Sequence, residues 1–87
     1  MILQIKREYE DNQARLLKIL CGYDEKLNYV FMCVYHKEEI IYDNLELENA
    51  LEIQDFKIFY EIALSMFGID LKKEMKIINE YIGEIKK

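Results

Sequence analysis

The chain has 87 residues, 52% of them hydrophobic and 33% charged, with three Gly, no Pro, no Trp and a net charge of −5. This length predicts one domain with a single modest core, and the apolar fraction excludes a disordered or low-complexity chain. The acidic balance disfavours direct contact with nucleic acid or an anionic membrane and favours a basic protein partner.

Charged residues run through the first twenty positions, from Lys6 and Arg7 to Lys18, so no secretory leader is expected. The longest apolar run, Tyr29 to Tyr35, is too short to cross a bilayer as a helix. A cytoplasmic protein follows, with Cys21 and Cys33 as thiols. The richness in Ile, Lys, Tyr and Glu points to an AT-rich genome such as a phage or a low-GC bacterium.

In chain order, the first third reads in two ways. As a helix, Ile2, Ile5, Tyr9, Leu16, Ile19 and Leu20 form a stripe that Gly22 would close. As a hairpin, Leu3, Ile5, Arg7 and Tyr9 alternate, Asp11-Asn12 turns the chain, and Ala14 to Cys21 returns. Asp11 and Asn12 cost helix propensity in mid-helix, and a two-stranded sheet alone is marginal. The preferred reading is therefore a four-stranded meander from residue 2, and the alternative is a helix followed by a hairpin. From Asn28 to His36 apolar residues occupy both alternating faces, which predicts a strand covered on both sides, or on one side by a helix. Lys37 and Glu38 turn into a partner strand, Glu39 to Tyr42, completing a core hairpin over about 28–43.

Two helices follow, over about 55–67 and 70–86. Asp55 is the expected N-cap of the first and Gly68 its left-handed stop, with Ile69 placed to pack back on Leu64. Only Lys57, Glu61 and Ser65 form a polar strip on it, so its broad apolar circumference is expected in a core or at a subunit interface. Asp70 opens the second, whose stripe is Leu71, Met75, Ile78, Tyr81, Ile82 and Ile85, and Gly83 is expected to mark fraying. The class is α+β: a small antiparallel sheet followed by two helices.

Catalytic equipment is sparse. There is no Thr, one Ser (Ser65) and one His (His36). Cys33 and His36 are three apart, on opposite faces of a strand, and Cys21 reads as an inert packed thiol. Glu46 and Glu48 could share a strand face, and with Asp43 could weakly hold a divalent cation, as any acidic loop could. No phosphate loop is present. The expectation is a protein that is not an enzyme and uses no cofactor or metal.

Charge is unevenly placed. Residues 1–37 carry +1 and residues 57–87 carry +1, while residues 38–56 carry −7 with no Lys or Arg. Glu38, Glu39, Tyr42, Asp43, Glu46, Glu48, Glu52 and Asp55 are the candidate partner-binding residues, with Asn44 beside them and Leu45, Leu47, Leu51 and Ile53 interleaved. An apolar centre with an acidic rim suits an interface with a basic, nucleic-acid-handling protein, in the manner of anti-restriction, anti-CRISPR or immunity proteins. The competing reading is a solvated connection whose acids suit the following helix N-terminus. Self-association through the apolar helix 56–67, giving a homodimer, is the alternative function. Lysine at Glu46, Glu48 and Asp55 is expected to abolish partner binding with little loss of stability.

Overall fold

A computed structural model describes residues 2–86. Four strands, β1 (Ile2–Glu10), β2 (Leu16–Asp24), β3 (Tyr29–His36) and β4 (Glu39–Asp43), pair antiparallel in the order β1-β2-β3-β4. Two single-turn 3-10 helices, Asn44–Glu46 and Ala50–Glu52, lead into α1 (Lys57–Phe67) and α2 (Lys72–Ile85). This is the meander of the preferred reading, an α+β fold.

The first turn is built by Asp11. Its buried carboxylate accepts from the Gln13 and Arg15 N–H groups at 3.0 and 2.8 Å and from Arg15 Nε at 2.9 Å. Burial alone would raise this carboxyl, yet those donors and the Arg15 charge hold it below the usual carboxylate range. The Asn12 N–H then donates to Phe67 O at 2.8 Å, tying the hairpin to the end of α1. At the second turn Asp24 accepts from the Leu27 N–H, and Tyr23 OH bonds Asn28.

The register sets Ile5, Cys21 and Met32 in one row and Arg7, Ile19, Val34 and Tyr42 in the next, all on one face. The helices cover this face: Phe56, Phe59, Ala63, Phe67, Ile69, Leu71, Ile78 and Ile82 join its residues in one buried cluster. On α2 the expected stripe is buried or half-buried, and Lys72, Lys73, Lys76, Glu80 and Glu84 face solvent. The helix runs past Gly83 to Ile85, so that glycine lies inside it and does not end it.

Three local expectations change. Asp55 still accepts from the Lys57 N–H at 2.9 Å, but α1 begins at Lys57 with Phe56 in the cap position. Gly68 does stop α1 at φ 66°; Ile69, however, enters the core while Leu64 stays 45% exposed, so the core and not Leu64 buries it. Finally, α1 buries only the face carrying Phe59, Ala63 and Phe67, leaving Ile58, Leu64 and Met66 partly exposed on its flanks.

Candidate functional site

The acidic segment follows one edge of the sheet. Glu39 pairs with His36 and Asp43 with Cys33, and the chain continues in the same direction until Ile53 O accepts from the Val30 N–H at 2.8 Å. His36 and Val30 are six residue steps apart on β3, so the segment borders about 20 Å of sheet edge. Its acids therefore lie along one border of the molecule.

Their local duties differ. Asp43 and Glu46 form a reciprocal cap: Asp43 Oδ1 accepts from the Leu45 N–H at 3.0 Å and Glu46 Oε2 from the Asp43 N–H at 3.1 Å. Asp55 accepts from the Lys57 N–H just ahead of α1 and also from Asn79 Nδ2 at 3.2 Å. Glu38, Glu39, Glu48 and Glu52 are exposed and meet no hydrogen-bond or ion-pair partner among the described residues. Leu45 and Leu51, 65% and 58% exposed, stand beside Glu48 and Glu52 around a shallow depression of about 280 Å³.

Several sequence expectations are corrected. Tyr42 is only 4% exposed because its position in the strand alternation turns it under the helices, and Asn44 is buried as well, so neither can meet a partner at this surface. Glu46 and Glu48 do not share a strand face, because Glu46 ends a 3-10 turn and Glu48 lies beyond it. Among the described residues no group of three His, Cys, Asp or Glu is gathered as metal ligands, so Asp43, Glu46 and Glu48 do not form a cation site. Since Glu46 completes a reciprocal cap and Asp55 accepts two hydrogen bonds, converting them to lysine would cost stability, contrary to the expectation for the triple lysine variant.

One polar cluster escaped the sequence reading. Glu74, 1% exposed, accepts from Tyr9 OH at 2.6 Å and from Arg7 Nε at 3.1 Å, both through Oε2. Its Oε1 is buried without a hydrogen-bond partner among the described residues. A signal was available: Glu74 lies three residues after Leu71 and four before Ile78, on the buried stripe, and Arg7 and Tyr9 share the inward alternation of Ile5. Cys21 lies within electrostatic reach of the cluster. Burial first, and then the Glu74 charge, pushes the Cys21 thiol up to about 12 against the opposing Arg7. Tyr9 is likewise raised to about 12, by burial and then by its bond to Glu74.

An alkaline instability follows. In the unfolded chain these groups ionise near 9.0 and 10.0, whereas in the folded one they stay neutral until about 12. Their contribution to stability is thus complete below pH 9 and falls away as the pH climbs toward 12. Urea midpoints measured at pH 7.5, 9 and 10.5 should be level for the first pair and lower at the third, and Cys21→Ala should flatten that fall. Cys21 is thereby a packed thiol, while Cys33 lies on the opposite face of the sheet from His36, where burial and then the neighbouring Asp43 carboxylate raise its thiol.

No protein-family model, curated protein or solved structure matches this chain. The functional argument therefore rests on the chemistry of its own surfaces.

Proposed function

We propose that this protein is a non-enzymatic binding protein that grips and inhibits a basic, nucleic-acid-handling partner through its β4 edge. The observation that carries the reading is Leu45 and Leu51 standing exposed beside Glu48 and Glu52, carboxylates that meet no ion-pair partner among the described residues. Such leucines supply apolar contact, while the carboxylates occupy positions where a cationic cleft would take phosphates. Long-range attraction of this kind speeds association and weakens with salt. An anti-restriction, anti-CRISPR or immunity-type inhibitor is the corresponding biological role, acting in the cytoplasm of a bacterial cell.

The test uses two baits in lysate of the native host, the wild type and the Glu48→Lys/Glu52→Lys variant, eluted by rising salt. Neither position makes a cap, so the variant should unfold at the wild-type midpoint. The wild type is expected to retain a basic nucleic-acid enzyme and to inhibit it, with the variant binding about tenfold or more weakly. Equal binding of the retained protein by both baits, or binding indifferent to salt, would overturn the reading.

A further inference from the structure

The face of the sheet away from the helices carries more apolar surface than a solvated face requires. β3 shows this most plainly: Val30, Met32 and Val34 are fully buried beneath the helices, while Tyr29, Phe31, Cys33 and Tyr35 point the other way and are only half-buried. Leu20 flanks them on β2, and Ile40 on β4 is 56% exposed. A strand apolar on both faces is the pattern of one covered on both, and here the fold supplies one cover only.

Charge is distributed across this face in a way that selects its occupant. The register places Lys6, Leu20, Cys33 and Asp43 in one row across the four strands, reading cation, apolar, apolar, anion. The next row is Glu8, Lys18, Tyr35 and Ile40. A basin of about 840 Å³ opens over these rows between Lys6, Lys18, Leu20 and Tyr35. The first row is antisymmetric in charge, so it complements itself when reversed.

We propose that a second copy of this chain packs on this face, sheet on sheet, about a two-fold axis parallel to the strands. That axis lays β1 over the partner's β4 and β2 over the partner's β3. Lys6 then meets the partner's Asp43 and Leu20 meets the partner's Cys33, each contact occurring twice by symmetry. Asp43 already caps the 3-10 turn, accepting from the Leu45 N–H and closing the reciprocal cap with Glu46, but its half-buried carboxylate keeps lone pairs for the partner's lysine. An axis running across the strands through this row would set Lys6 against its own copy, so within this row charge favours the first arrangement. Face-to-face sheets pack about 10 Å apart, close enough for Phe31 and Tyr35 to interdigitate with the partner's leucines and aromatics. The proposal is independent of the acidic-edge reading, since Glu48 and Glu52 lie beyond Asp43 and take no part.

Sedimentation of the reduced protein over a concentration series up to millimolar tests this directly. The wild type is expected to pass from monomer to dimer. Phe31→Lys, Lys6→Glu and Asp43→Lys should each weaken the dimer about tenfold or more, as apolar contact is lost or like charges are opposed. Because Asp43→Lys also removes a cap, its fold is checked by circular dichroism, and Lys6→Glu carries the same test without that cost. The decisive measurement mixes Lys6→Glu with Asp43→Lys. Each alone repels its own copy at both symmetric contacts, whereas the mixed pair attracts at both, so a heterodimer should appear only on mixing. A wild type that stays monomeric throughout the series would overturn the proposal. So would a dimer untouched by Lys6→Glu and Phe31→Lys, which would place self-association on another surface such as α1, or mixed variants that remain monomers.

Discussion

Gly22→Ala should lower the unfolding free energy by about 3 kcal/mol or more, the largest loss expected from any single methyl in this chain. A Cβ at this position would stand 1.8 Å from Leu3 O and 2.8 Å from Leu3 C, both backbone atoms that cannot swing aside. Gly22 pairs with Gln4 on one side and Phe31 on the other, two residues from the end of β2. Relief therefore requires the backbone at the start of β1 to move away, taking its hydrogen bonds with the end of β2. An 87-residue domain has only about 4–13 kcal/mol to lose, so the variant should be partly unfolded at 37 °C. Urea denaturation followed by far-UV circular dichroism gives the answer, and a wild-type midpoint would mean that the Leu3 backbone does not close on Gly22.

Arg7→Met is expected to cost about 2–4 kcal/mol, because it strips the cation from a carboxylate that cannot reach water. Glu74 has a side chain 2% exposed, and its remaining donor would be Tyr9 OH alone. Arg7 itself is 45% exposed in its side chain, which puts the loss toward the lower end for a broken buried pair. The informative comparison is Arg7→Met/Glu74→Met. Removing both partners removes the stranded charge and the unpartnered Oε1 together, so most of the stability should return. Denaturation midpoints of the two variants measured side by side decide the point, and a double variant no more stable than the single one would mean that packing around Arg7, not charge, sets the loss.

Both sites show which kind of fact a sequence conceals. Gly22 reads as the stop of a helix or as an incidental small residue, because the atom that excludes a side chain belongs to Leu3, nineteen positions away. Glu74 sits openly on an apolar stripe, but its partners come from β1, and only the packing of α2 against the sheet brings them together. Tyr42 looks like part of an acidic surface because its neighbours in the chain are acids. The alternation of β4 turns it the opposite way from Asp43 and buries it, whereas Glu39, at the turn, stays in solvent.

Read without coordinates, the chain already settles its α+β class, the hairpin of β3 and β4, the two helices and the stop at Gly68. These follow from local periodicity, turn residues and backbone freedom, which act within a few positions of one another. The confinement of seven acids to nineteen residues is also a property of the sequence. Tertiary structure alone decided that those acids border one sheet edge, which of them are consumed as caps, and which leucines stand beside the free ones. It likewise decided that β3, apolar on both sides, is covered on only one. Such facts depend on contacts between residues far apart in the chain, and the side a strand turns to its neighbours is fixed by register and packing, which no local pattern encodes.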